Sequence, residues 1–161
     1  MRGIAFQLAS IPSLGVALGL LAACAGTPEA ETAVLPAPPP GGGYIADIHD
    51  ETVDNADYRR VLVTGSHSQL VLMTLRPGED IGVETHEHGD QFIRVEAGTG
   101  RATLDGRVYP LRPGTAIVIP AGVAHNVINT GSSPLQMYVV YSPPEHPHGT
   151  VQRTKAEARD H

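Results

Sequence analysis

The chain has 161 residues, among them 18 glycines and 14 prolines, with no tryptophan and a formal net charge of −6. This length is sufficient for one domain with additional segments. The acidic balance and the lack of any Lys/Arg run in the sequence argue against a nucleic-acid partner, which would require a basic face. The single cysteine, Cys24, excludes an intramolecular disulfide.

The first 23 residues are predicted to be a targeting segment. A positive charge at Arg2 precedes an uncharged, mostly apolar stretch that ends in small residues directly before Cys24. This pattern is typical of a secretory signal. It also resembles the lipobox of bacterial lipoproteins, in which the cysteine receives lipid after cleavage. A plain signal peptide and a permanent transmembrane helix are the alternatives, and Pro12 and several glycines disfavour the helix.

The lipobox resemblance implies a protein that is anchored to a membrane through Cys24, with its domain facing the periplasm. Ala25 carries no acidic retention signal, which favours the outer membrane. Residues 24–43 would then be a tether, since their proline-rich part is stiff and their glycine-rich part is flexible.

Residues 44–152 have the pattern of an all-β domain. Short apolar segments alternate with glycine- and proline-rich turns, and Asp105-Gly106 is a strong signal for a two-residue hairpin turn. The predicted strands are 60–64, 69–75, 91–97, 101–104, 108–111, 116–119, 125–129 and 135–141. The segment before the first strand is predicted either to hold a short helix around Val53–Tyr58 or to lie across the barrel. Residues 153–161 are predicted to be a charged tail, frayed or briefly helical.

Two histidine-bearing segments occur within this pattern. His86-Glu87-His88 places two imidazoles at alternate positions, so that on a strand they would share one face. A third imidazole, that of His125, comes from a later segment. Imidazoles that converge from separate segments predict a site for a divalent metal ion.

The segment from Gly114 to Asn129 fits the pattern G-x5-P-x-G-x2-H-x3-N without a mismatch. Together with the earlier His-x-His, it makes the chain resemble the cupin superfamily, whose two sequence motifs have this form and order. The resemblance implies a single-domain cupin double-stranded β-helix, a jelly-roll-like barrel. The proline and glycine of the second motif should shape the turn that aims His125 inward, and Asn129 should cap the following turn.

The predicted metal ligands are His86, His88, Gln91 and His125. Gln91 occupies the position of the usual cupin glutamate, counted back from Gly98. It offers an oxygen but no charge, so the site would be more positive and would favour an anionic ligand or substrate. Asp90 and Glu84 are alternative fourth ligands. The sequence does not choose among Mn, Fe, Zn and Ni.

Further segments resemble one subgroup of single-domain cupins, loosely named mannose-6-phosphate-isomerase-like. These segments are residues 64–73, 90–96, 125–129 and 141–151. In this subgroup the position of His88 is often not histidine, so that the other three ligands are firmer. A second His-x-His, His146-Pro147-His148, is expected in a loop across the barrel mouth or on the surface, because proline disfavours a central strand.

Three kinds of function fit these features. One is a metal-dependent enzyme that acts on a small molecule, as a dioxygenase or a sugar isomerase. The second is a non-catalytic module that binds a metal or an anionic small molecule, and the third is a structural barrel that has lost its chemistry. No catalytic residue and no organic cofactor are assigned. The resemblance also implies a possible homodimer, which would form through edge strands.

Overall fold

The computed structural model of the chain describes residues 43–159. The predicted signal segment, Cys24 and nearly all of the tether lie outside the described residues, as does the end of the charged tail. Within the described part, neither helix is long and apolar enough to cross a membrane.

The described residues form nine strands and two short helices. In chain order they are α1 (Ile48–Asp54), β1 (Arg59–Thr64), β2 (Gln69–Leu75), β3 (Asp90–Ala97), β4 (Gly100–Leu104), β5 (Arg107–Leu111), β6 (Ala116–Ile119), β7 (His125–Asn129), β8 (Leu135–Ser142), β9 (Val151–Gln152) and α2 (Lys155–Arg159). Six strands form one sheet in the order β6-β3-β8-β2-β1-β9, and three form a second sheet in the order β5-β4-β7. The all-β prediction is confirmed, and each predicted strand agrees with an observed one to within one residue at either end.

Alternate side chains of the strands turn inward and form one apolar core. Along β8, Leu135, Met137 and Val139 are completely buried. Ala102 of β4 and Val127 of β7 belong to the same core, although they come from the smaller sheet. The two sheets therefore close around a shared interior as a barrel. Each valine, leucine, isoleucine or methionine side chain buried there stabilises the fold by about 1.5–3 kcal/mol.

The predicted hairpin turn joins β4 to β5. Asp105 and Gly106 both have positive φ angles, 44° and 77°, which is the backbone conformation of a type I′ turn. The turn sets the register of the two strands, with Leu104 opposite Arg107.

The predicted position of the first helix is wrong, because the helix lies earlier in the chain. Asp47 caps α1 through its carboxylate, which accepts hydrogen bonds from the backbone nitrogens of His49 and Asp50. The helix ends before Asn55, which is buried and donates from Nδ2 to Thr74 Oγ1 over 2.9 Å. The residues between Asn55 and Tyr58 therefore lead into β1 instead of continuing a helix.

Candidate metal centre

Three side chains with metal-ligating atoms meet inside one end of the barrel. Glu84, His86 and His125 each place one such atom within 4.8 Å of the other two. His125 is the first residue of β7, whereas Glu84 and His86 lie in the segment that leads into β3. The structure thus brings together two of the predicted ligands and one of the two carboxylates that were offered as alternatives.

Backbone hydrogen bonds hold these two segments side by side. Glu84 and His125 exchange both backbone N–H···O bonds, each 2.9 Å long, as an isolated antiparallel bridge. The nitrogen of Gly122 donates to the carbonyl of His86 over 2.9 Å, from a turn in which Gly122 has a φ of 80°. The predicted role of this turn in aiming His125 inward agrees with that geometry, because glycine adopts a positive φ without steric cost.

The ring of His125 is held in an orientation and tautomer that suit a metal ligand. The residue is only 2% exposed, and its Nδ1 lies 3.0 Å from the carbonyl oxygen of Val123. Since a carbonyl oxygen can only accept, Nδ1 carries the proton and Nε2 keeps a free lone pair. That Nε2 is buried and has no hydrogen-bond partner among the described residues. Proteins commonly hold metal-ligating histidines in this way, with the second ring nitrogen donating to a fixed oxygen.

His86 lies between two carboxylates. Its Nε2 is 3.5 Å from Oε2 of Glu84, and its Nδ1 is 3.3 Å from Oε1 of Glu145. The Glu84 carboxylate is the largest cause that raises the pKa of His86, while partial burial acts in the opposite direction. A cation bound by Glu84 and His86 would take the place of the proton that these carboxylates favour.

Gln91 lies in the interior next to this cluster. The residue is 1% exposed, and its Nε2 donates to the hydroxyl of Tyr141 over 3.3 Å. The Tyr141 ring in turn meets the His86 ring edge-on, with centroids 5.5 Å apart. Oε1 of Gln91 is buried without a partner in the described part of the chain, so that it is available as a further ligand oxygen.

The reasoning that paired His86 with His88 on one strand face is wrong. Residues 87 and 88 form a turn before β3 begins, and His88 is exposed. It does not belong to the cluster of Glu84, His86 and His125, so that its role as a ligand stays a prediction. Asp90 is also exposed, and its Oδ1 accepts a hydrogen bond from the backbone nitrogen of Ala121 over 3.0 Å. Its carboxylate therefore ties down the turn that precedes His125.

Sequence reasoning missed a cavity beside the cluster. It has a volume of about 600 Å³, and its lining includes Arg59, Glu84, His86, Glu145 and His146. The last two belong to the loop that follows β8, as expected for a loop at the barrel mouth. Arg59 gave no signal in the sequence, because nothing in a strand pattern shows that an arginine at its first position is buried.

Burial also changes the chemistry of His146. Burial first, and then the nearby charge of Arg59, lower the pKa of the His146 imidazole to about 4. The Nε2 of this neutral ring is buried and unpartnered among the described residues, and its ring meets Tyr141 edge-on at 5.1 Å. The cavity therefore contains a neutral imidazole that a small polar ligand can contact.

The donor set fits a divalent cation. Two imidazoles, one carboxylate and an adjacent amide oxygen are a combination that Mn, Fe, Zn and Ni all accept. Three buried polar atoms make no hydrogen bond within the described residues and would gain a ligand bond to such an ion: Nε2 of His86, Nε2 of His125 and Oε1 of Gln91.

The comparisons with known proteins identify the family. Residues 71–141 match the cupin domain family. An uncharacterized protein of Acanthamoeba polyphaga mimivirus is 45% identical over 113 residues, which are 67% of this chain and 70% of that protein. The chain therefore belongs to the cupin family.

Other similar proteins support the same conclusion. A crystal structure of a Bacillus halodurans protein shares 48% identity and a TM-score of 0.72, and the match covers 73% of this chain and 94% of that one. The uncharacterized protein YrkC of Bacillus subtilis is 45% identical over 71% of this chain, and the chain spans 65% of YrkC, slightly less than two thirds of its length. The mannose-1-phosphate guanylyltransferase ManC of Salmonella typhimurium is 37% identical over 78 residues, only 16% of that enzyme. Membership of the mannose-6-phosphate-isomerase-like subgroup stays a prediction.

Proposed function

We propose that this cupin binds one divalent metal ion through Glu84, His86 and His125, with Gln91 as a further ligand. A small molecule then binds in the adjoining cavity, next to the ion. The observation that carries the proposal is the unpartnered Nε2 of buried His125, whose Nδ1 is held by the carbonyl of Val123. A buried acceptor atom without a partner costs about 1–3 kcal/mol. A bound cation would remove that cost.

A carboxylate in the ligand set changes the charge that the sequence predicted. Neutral imidazoles and Gln91 alone would leave the full double positive charge of the ion, whereas Glu84 reduces it by one. The centre is still positive, so that an anionic ligand or substrate is favoured at its open side. The predicted preference for an anion is therefore retained, and the carboxylate of Glu84 should make the protein bind the metal ion more tightly.

The cavity gives a bound small molecule access to this centre. A divalent ion at such a site polarises an oxygen atom of a ligand. Glu145 lies at the mouth with its carboxylate 3.3 Å from Nδ1 of His86, and its side chain is 41% exposed. Its carboxylate is therefore accessible both to water and to a molecule in the cavity. We expect Glu145 to be the general base, which accepts a proton from the bound molecule, in any reaction at this site.

The metal content of the purified protein tests the proposal. We expect about one Mn, Fe, Zn or Ni ion per chain by elemental analysis, and restored binding when the chelated protein is titrated with these ions. A folded protein that retains none of these ions and takes up none on titration would contradict the proposal. The alternative of a structural barrel would then stand.

The proposed location is the periplasm-facing side of a membrane, with the outer membrane favoured, through lipid on Cys24. This proposal is supported by the apolar segment and the small residues before Cys24. When the chain is expressed in a bacterium that processes lipoproteins, we expect labelling by radioactive palmitate and recovery in the membrane fraction. Cys24→Ser should abolish the label and release the protein, because a covalent lipid is what holds it.

Ala25→Asp is the matched control for the lipid proposal. It should retain the palmitate label but move the protein to the inner membrane, since it introduces the acidic retention signal. Unchanged labelling and fractionation of Cys24→Ser would exclude the lipid anchor.

A further inference from the structure

Arg59 is a buried charge with unused hydrogen-bonding capacity. The residue is 8% exposed, and its guanidinium donates from Nη1 to Oε1 of Gln152 over 3.0 Å. Its Nε is buried and has no partner among the described residues. The guanidinium also stacks over the ring of Tyr58, 5.6 Å from the centroid. These contacts hold the group in place but do not neutralise it.

The carboxylate that approaches Arg59 does not fully pair with it. Oε1 of Glu84 lies 3.9 Å from Nη2, which is too long for a hydrogen bond. Under the proposed function, the Glu84 carboxylate binds the metal ion, so that its negative charge is less available to neutralise Arg59. A buried guanidinium that lacks a hydrogen-bonded anion destabilises the fold. The fold therefore retains a cation that a ligand can pair with.

The cavity places this cation next to the metal centre. Arg59, Glu84, His86 and Glu145 line the same space of about 600 Å³, which lies in the range of roughly 300–1,000 Å³ that small-molecule sites occupy. Without a metal ion, the carboxylates of Glu84 and Glu145 offset the positive charge in the cavity, so that it does not favour an anion. A divalent ion reverses this balance.

We infer that the cavity binds a small carboxylate, which accepts hydrogen bonds from Arg59 and lies against the metal ion held by Glu84, His86 and His125. The inference rests on the proposed function, because the ion is needed to make the cavity positive. The planar guanidinium matches the two oxygens of a carboxylate. A phosphate is less suited, since it brings a second negative charge toward Glu84 and Glu145 and finds only one guanidinium.

The Nε–H resonance of Arg59 in the ¹⁵N-labelled protein tests this inference directly. In the zinc-loaded protein we expect a saturable shift of this resonance on titration with acetate. Acetamide, which has the same shape without the charge, should give no such shift. The metal-free protein should bind acetate at least tenfold more weakly. The zinc content of each sample is measured first, so that a failure of metal binding is seen separately.

Variants at two neighbouring arginines complete the test. Arg59→Gln should weaken acetate binding by about tenfold or more, as expected for the loss of a charged hydrogen bond, while zinc binding changes little. Arg59→Lys keeps the charge without the planar fork and should be intermediate. Arg60→Gln, at the next and exposed position of β1, should bind acetate normally.

Several results would overturn the inference. A protein that takes up no zinc contradicts the proposed function, and this inference falls with it. A zinc-loaded protein in which acetate leaves the Arg59 resonance unmoved contradicts the inference alone. So does acetate binding that is unchanged in Arg59→Gln, or inorganic phosphate that binds at Arg59 more tightly than acetate does.

Discussion

Replacing His125 by alanine is expected to lower the affinity for a divalent metal ion by about a hundredfold or more. Metal sites of three or four protein ligands derive roughly 10–16 kcal/mol from their ion, so that one imidazole contributes several kcal/mol. The contribution of His125 should be large for a single imidazole, because the hydrogen bond to the carbonyl of Val123 already fixes its ring and little entropy is lost when the metal binds. A competition titration against a chelator of known affinity measures the loss for zinc and manganese.

His88→Ala is the control for this experiment. His88 lies in an exposed turn two residues from His86, so that the variant removes an imidazole from the same segment without touching the cluster. We expect its metal affinity to stay within about threefold of the parent protein. If His88→Ala lost affinity to the same extent as His125→Ala, the prediction that His88 is a ligand would be confirmed. Circular dichroism of both variants excludes loss of folding as the cause.

The strands and the position of His125 could be predicted because local chemistry determines them. Alternating apolar residues decide which side of a strand faces the core, and Gly122 marks a turn that requires a positive φ. Asn129 caps the next turn as predicted, since its Oδ1 accepts from the nitrogen of Gly131 over 2.9 Å. Each of these signals is contained within a few neighbouring residues.

The composition of the cluster could not be predicted to the same extent, because it depends on how distant segments meet. Glu84 belongs to the cluster because its backbone pairs with that of His125, which lies some forty positions later in the chain. The placement of His86 and His88 on one strand face was wrong because residues 87 and 88 form a turn before β3 begins. Arg59 escaped notice because burial of a charge is a property of the assembled cavity.

Gly98→Ala is expected to destabilise the fold by more than about 3 kcal/mol, the largest loss among single alanine substitutions of glycine that we foresee. Gly98 follows β3 with a φ of 81°. A Cβ at this position would overlap the carbonyl oxygen of Pro134 and lie 2.8 Å from Cα of Leu135. Both are backbone atoms at the start of β8, and they cannot move without shifting the buried strand that carries Tyr141. Urea unfolding followed by circular dichroism measures the loss.

Gly114→Ala separates the clash at Gly98 from the strain of a positive φ. Gly114 has a φ of 84°, almost the same as that of Gly98, but a Cβ there would meet nothing within 4 Å. Its loss should be only the conformational cost of about 1–2 kcal/mol. The difference between the two variants then measures how closely the backbones of the β3–β4 connection and β8 approach each other. Equal losses would show that backbone conformation alone, and not this close contact, makes glycine necessary at position 98.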